Sequence, residues 1–154
     1  MNNIIYMKHE SARIMVVDDD ATTRQVIRLY LEELKYSVVV DCGNYDQAIL
    51  CADKFEPDLI LMDINLNEKE RDGIDAASEI LDQHNIPVIF ITSFVDDEIL
   101  CRAIESRPFG YLNKPVTLEA LKFQIPIALE NHRRIVDLQK NKAEVNSVNI
   151  SQYQ

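Results

Sequence analysis

Two short stretches, Asp58–Asp63 (DLILMD) and Ile86–Thr92 (IPVIFIT), are apolar almost throughout, and they constrain the fold more than any other feature. A strand with one wet face alternates apolar and polar residues. A run without alternation is buried on both faces, which places it at the centre of a parallel sheet covered by helices. Neither run approaches the ~18 residues of a membrane span. Arg13–Asp18 (RIMVVD) and Ser37–Cys42 (SVVVDC) read as further strands, and Phe109–Leu112 as a short fifth.

The segments between these runs read as helices. Asp20–Lys35 carries Val26, Ile27, Tyr30, Leu31 and Leu34 at helical spacing, with Asp20 placed to cap the first turn. Asn44 with Gln47 resembles a capping box for a helix through Phe55, closed by Pro57. A helical pattern from Gly73 to Gln83 follows the polar loop Asn65–Arg71. Asp96 is placed to cap a helix through Glu105, and Thr117 opens the last one. Strand and helix thus alternate five times, which implies right-handed crossovers and helices on both faces. The expected fold is α/β, a flavodoxin-like doubly wound five-stranded parallel sheet in the order 2-1-3-4-5. Its chemistry is expected beyond the C-terminal ends of the strands.

Composition narrows the partners. The chain has 154 residues and a formal charge of −10, from 16 Lys+Arg against 26 Asp+Glu. That charge repels phosphate backbones, so no direct nucleic-acid binding is expected, and no membrane association. Cys42, Cys51 and Cys101 form no CxxC pair, which argues against a zinc site or a disulfide framework. Met1–Ser11 lacks the apolar core of a secretory signal. The expectation is a cytoplasmic protein.

The strand ends hold the candidate chemistry. Asp18, Asp19 and Asp20 follow the first strand and Asp63 ends the third. Thr92 and Ser93 end the fourth, and Lys114 and Pro115 follow the fifth. On one rim these make carboxylates, a hydroxyl and an ammonium group around a single crevice. Crowded carboxylates call for a cation between them, and an all-oxygen site of this kind favours Mg²⁺. A carboxylate beside Mg²⁺ can attack phosphorus, while Lys and Thr neutralise or bond the transferred oxygens. Taken singly, each residue also has an ordinary reading as a helix cap, a loop acid or a surface lysine. Their joint placement at the appropriate strand ends favours a site.

VVDD at Val16–Asp19, DLILMD at Asp58–Asp63, VIFITS at Val88–Ser93 and GYLNKP at Gly110–Pro115 resemble the receiver domain of two-component response regulators, the CheY-like family. The likeness covers Arg13 to Leu129. It implies that Asp63 is the phosphoacceptor, loaded from a sensor histidine kinase, a phosphotransfer protein or a small phosphodonor. By the same likeness Asp18, Asp19, Asp63 and the backbone carbonyl of Asn65 hold Mg²⁺. Thr92 and Lys114 would bond the phosphoryl group, and Tyr111 would reorient with Thr92 as a switch. The Lys114–Pro115 bond is expected to be cis. The face made by the fourth and fifth helices and the fifth strand would be the readout and a homodimer surface, with Arg102, Glu105 and Lys122 free to pair across it. The chemistry would be confined to self-catalysed phosphotransfer and autodephosphorylation.

The chain departs from the common family pattern beside the site. Leu66 and Asn67 replace the usual Met-Pro, and Asp72-Gly73 lie two residues further from Asp63 than usual, across a charged loop (NEKER). This resembles a receiver subgroup with MDI-x-L, a charged loop, DGI-x-AA and a later PFGYL-x-KP. Two side chains are placed to flank in-line water at a phosphorylated Asp63: Asn65, which can orient it, and Phe94, which would exclude it and lengthen the lifetime. The domain reading is an N-terminal extension over 1–12, the receiver over 13–129, and an extended last helix with a polar tail over 130–154. The tail from Lys140 is expected to fray, and Pro126 to kink or break the last helix. Those 25 residues are too few for a further module, so the chain reads as a stand-alone receiver or the receiver portion of a longer protein. Other readings are a Mg²⁺-dependent phosphohydrolase of similar fold, a flavin- or nucleotide-binding module, and a docking receiver that is not phosphorylated. Asn65 stands where such a hydrolase would place its second acid, and Asp18–Thr22 offers acid where a nucleotide phosphate would sit.

Overall fold

The computed structural model describes residues 11–93 and 96–153. The elements run β1 (Arg13–Val17), α1 (Ala21–Glu33), β2 (Ser37–Cys42), α2 (Tyr45–Phe55), β3 (Leu59–Asp63), α3 (Gly73–Gln83), β4 (Val88–Thr92), α4 (Asp97–Glu105), β5 (Gly110–Asn113) and α5 (Leu118–Gln152). All four strand pairings are parallel, and the order is β2-β1-β3-β4-β5. Every residue of β3 and β4 is buried, as their unbroken apolar runs require.

Alternation of side chains along each strand divides the interior into two layers. Met15 and Val17, Ile60 and Met62, and Val88 and Phe90 pack with α2, α3 and Ala103 of α4. Ile14 and Val16, Leu59 and Leu61, and Ile89 and Ile91 pack on the other face against α1 and α5. Burying one such side chain contributes roughly 1.5–3 kcal/mol. The three central strands are thus fixed from both sides, and their C-terminal ends form one rim.

Local chemistry sets the helix starts. Asp20 accepts from the Thr22 N–H at 3.0 Å and the Thr23 hydroxyl at 2.7 Å. Asn44 accepts from the Gln47 N–H at 2.9 Å, but Gln47 returns its bond to the Gly43 N–H at 3.2 Å instead of closing the expected box on Asn44. A full reciprocal box caps α3. The Asp72 side chain accepts from the Asp75 N–H and Asp75 accepts from the Asp72 N–H, both at 3.0 Å.

The last helix does not break at Pro126. It runs unbroken through the buried Pro126 and on to Gln152. Packing of Leu121, Ile125, Ala128 and Leu129 against the sheet holds the turns around the proline, which offsets the lost bond to the Lys122 carbonyl. The tail beyond Lys140 is helical too.

Gly73 is where the fold most needs a missing side chain. Its N–H donates to the Ile64 carbonyl at 2.7 Å, and a Cβ there would lie 1.9 Å from the Asp63 carbonyl oxygen and 3.0 Å from Ile64 Cα. Those are backbone atoms and cannot step aside. Gly73→Ala is therefore expected to destabilise the domain by about 3 kcal/mol or more, measured by urea unfolding. Stability within 1 kcal/mol of wild type, on the same scale, would contradict this packing.

Candidate functional site

Three strand ends and one lysine make the centre of the rim. Asp18 and Asp63 are buried, with 0% and 2% of their surface exposed, while Asp19 is exposed. One oxygen from each of the three carboxylates lies within 4.8 Å of the others. Lys114 Nζ sits 2.8 Å from Asp18 Oδ2 and 2.8 Å from Asp63 Oδ2. The second oxygen of each buried acid accepts a backbone N–H two residues on: Asp20 to Asp18 at 2.9 Å, and Asn65 to Asp63 at 3.0 Å. Apart from the lysine, Asp18 Oδ2 has no hydrogen-bond partner among the described residues. A buried carboxylate oxygen with so little compensation is costly in a dry site.

The surroundings bring the other strand-end residues close. Thr92 is buried, and its carbonyl accepts the Lys114 N–H at 2.9 Å. Asp63 pairs in register with Ile91, the residue before Thr92. The Lys114–Pro115 peptide is cis. Tyr111 turns its ring into the α2–α3–α4 layer, with its centroid 6.0 Å from that of Phe90. Its phenolic oxygen is buried without a hydrogen-bond partner among the described residues. Phe94 lies outside the described residues.

Burial dominates the electrostatics of Asp63. Loss of water, with Asp18 alongside, outweighs Lys114 and the Asn65 N–H and pushes its carboxyl up to about 6. For Lys114 burial acts downward, but the two carboxylates overcome it and raise the ammonium above its ordinary value. The three groups sustain one another's charge only as a set.

Several supporting side chains were not legible as such in the sequence. Arg24 donates to the Asp18 carbonyl at 2.7 Å and pairs with Asp41 at 3.0 Å, and Arg28 reaches the same acid at 2.5 Å. The i, i+4 spacing of Arg24 and Arg28 in α1 was the available signal. The Gln124 amide spans the backbone of Tyr111, accepting its N–H at 3.0 Å and donating to its carbonyl. Arg102 is not free to pair outward as the sequence suggested. It binds Asp72 at 2.6 Å and Asp75 at 2.9 Å, tying α4 to the cap of α3. The lengthened loop is anchored as well. Arg71 pairs with Asp46 at 2.9 Å and Glu68 at 3.2 Å, and lies 4.1 Å over the Tyr45 ring, while the Tyr45 N–H donates to Glu68 at 3.1 Å.

Comparison with known proteins agrees with this architecture. The family model "Response regulator receiver domain" matches residues 14–125. The chain is 32% identical over 127 residues to the transcriptional regulatory protein PdtaR of Mycobacterium tuberculosis, covering 82% of this chain and 61% of that protein. It is 30% identical over 121 residues to the transcriptional regulatory protein YdfI of Bacillus subtilis, covering 78% and 56%. Among solved structures, the signal receiver domain of a modulated diguanylate cyclase from Desulfovibrio desulfuricans superposes with a TM-score of 0.75 at 35% identity, over 80% of this chain and 97% of that one. The chain belongs to the response regulator receiver domain family of two-component systems. It spans about six-tenths of the length of those two curated relatives. Because those relatives are transcriptional regulators, the expectation of no direct nucleic-acid binding is not supported. No helix among the described residues is long and apolar enough to cross a membrane.

The raised Asp63 carboxyl has a consequence for stability. Its value in an unfolded chain is near 4, so between about 4 and about 6 the folded state binds more proton than the unfolded state. Its contribution to stability then falls as pH rises through that window. The carboxyls of Asp20, Asp41, Asp46 and Asp72 are lowered and act in the opposite sense, so the readout is the difference between wild type and Asp63→Asn. In urea with chelator, the stability of wild type relative to the variant should fall from the lower to the upper end of the window. A difference that is the same at both ends would take Asp63 out of the pH dependence.

Proposed function

We propose that this chain is a phosphoacceptor switch in which Asp63 takes a phosphoryl group from a sensor histidine kinase or phosphotransfer protein. The observation that carries this reading is the Lys114 bridge between two buried carboxylates, beside the oxygen of Asp18 that has no other partner. The donor set suits a divalent cation: three carboxylates with oxygens within 4.8 Å, all hard ligands, with Asp19 open to solvent. Asp18, Asp19, Asp63 and the Asn65 carbonyl would hold Mg²⁺, which when bound supplies positive charge to the phosphoryl oxygens.

An Asp63 carboxylate oxygen forms the new bond to phosphorus. The bond from phosphorus to the donor nitrogen breaks, and the imidazole leaves with that electron pair. Lys114, released from the Asp63 carboxylate, follows the charge to a phosphoryl oxygen, and the Thr92 hydroxyl donates to another. Drawing Thr92 inward changes the packing at Tyr111, whose ring lies on the adjacent strand. The output would then pass to the face of α4, β5 and α5 and, through that face, to a second copy or another partner. The chemistry is confined to self-catalysed transfer and hydrolysis at Asp63. We assign the receiver to residues 13–129, with 1–12 as an extension and 130–154 as the outward helix and tail, in a cytoplasmic setting.

Incubation with Mg²⁺ and acetyl phosphate, followed by intact mass measurement, should add one phosphoryl group to wild type and none to Asp63→Asn. A label retained in Asp63→Asn would move the acceptor elsewhere. Asp19→Asn should weaken Mg²⁺ binding by on the order of tenfold or more and slow phosphorylation. Mg²⁺ should raise the melting temperature of wild type more than that of this variant.

Phosphate release from the phosphorylated protein provides a separate check on Phe94. Phe94→Glu should hydrolyse faster because an acidic side chain holds water where the ring would exclude it. Equal rates in two proteins with the same circular dichroism would remove Phe94 from the control of lifetime.

A further inference from the structure

Beyond Leu129, the last buried residue of α5, the helix continues from Glu130 to Gln152; His132 still touches Asn85 and the Phe109 ring, and from Leu138 onward every side chain is exposed. The segment from Glu130 to Gln152 extends about 35 Å at ~1.5 Å per residue. Its composition does not explain its helicity. Asn141, Val145, Asn146, Ser147, Val148, Asn149, Ile150 and Ser151 are all weak helix formers, and helical turns without tertiary packing are marginal in water. What the helix does carry is a stripe. Ile127, Leu138, Val145 and Val148 are exposed to 55%, 67%, 59% and 55%. They fall on a strict four-three repeat, the seam of a two-stranded coiled coil.

We propose that α5 from Ile127 onward pairs with the same segment of a second copy of this chain as a parallel, in-register coiled coil. In heptad terms Leu138 and Val145 take a positions, and Ile127 and Val148 take d positions. The other seam positions are polar, Asn131 and Gln152 at a and Arg134 and Asn141 at d; such breaks fix register at a cost in stability. Charge selects the direction. The flanking g positions are Glu130, Asp137 and Glu144, and Lys142 is the one charged e position of this segment. An antiparallel pair sets g against g, acid facing acid. A parallel pair sets g against the e position five residues on, which brings Asp137 of each chain to Lys142 of the other, twice by symmetry. Within one chain Asp137 already meets Arg133 at 2.7 Å, so the partner's lysine would extend an existing ion pair. With half its seam polar the coil is weak. Its seam contains none of the residues of the proposed phosphotransfer, so it is testable without phosphorylation or Mg²⁺.

Sedimentation across a concentration series, on the unphosphorylated 154-residue chain and on Asp63→Asn, tests the inference. Both should show a monomer–dimer equilibrium. Leu138→Glu with Val145→Glu should abolish the dimer and leave the melting of the sheet domain unchanged. Asp137→Lys and Lys142→Asp should each weaken self-association by on the order of tenfold, because each homodimer then sets like charges face to face. An equimolar mixture of those two variants should regain the dimer as a heterodimer, in which both pairs are complementary. A monomer throughout the series overturns the proposal. So does a dimer that survives the Leu138→Glu, Val145→Glu double substitution, or a mixture no tighter than its components.

Discussion

The structure depends on one ammonium group. Lys114 Nζ lies 2.8 Å from a carboxylate oxygen of Asp18 and 2.8 Å from one of Asp63, and both acids are buried at the ends of adjacent central strands. Two carboxylates in a dry site repel, and neither alone justifies the loss of its water. The bridge makes the pair tolerable without making it comfortable, since the Asp63 carboxyl remains pushed up to about 6. A group carrying further positive charge into the rim would relieve that residual cost. The fold thus holds its reactive groups in an incompletely neutralised state.

Everything around the bridge holds its members in place. The central strands are clamped from both faces, so the positions of Asp18 and Asp63 follow from the packing of Ile14 to Val17 and Leu59 to Met62. Gly73 lets the start of α3 press onto the Asp63 carbonyl. Arg102 joins the Asp72–Asp75 cap of that helix to α4. Gln124 joins the Tyr111 backbone of β5 to α5. Each link ties the sheet or a helix start beside the rim to a neighbouring helix.

How much of this could be read from the sequence varied with the range of the interaction involved. Strand centres, helix caps and the order of the sheet were legible because they rest on local period and composition: DLILMD and IPVIFIT admit little else. The rim acids were legible because doubly wound sheets place chemistry at strand ends. Partners distant in sequence were not. Arg102 carries no mark of its pairing with Asp72, thirty residues away, and an exposed helix position suggested an outward role. The charged loop after Asp63 gave no sign that Arg71 would stack on Tyr45. The break expected at Pro126 failed for a related reason. Its local penalty is real, but the turns around it are buried against the sheet, and tertiary packing decided the outcome.

The last helix shows the same contest with the opposite balance. Up to Leu129 packing overrides an unfavourable residue. Past Leu129 His132 still reaches the domain and the turns from Leu138 are exposed, yet weak helix formers remain helical and present apolar side chains at heptad spacing. Either segment alone would be unremarkable. Joined in one continuous helix, they place a pairing surface on the same rigid element that Gln124 ties to Tyr111. A second copy bound along the outer turns would favour whichever orientation of α5 suits the coil. By reciprocity, a change at the rim that favours one orientation of α5 must change the affinity of the coil by the same factor. The coupling needs no further contact, because the helix that carries it is already continuous.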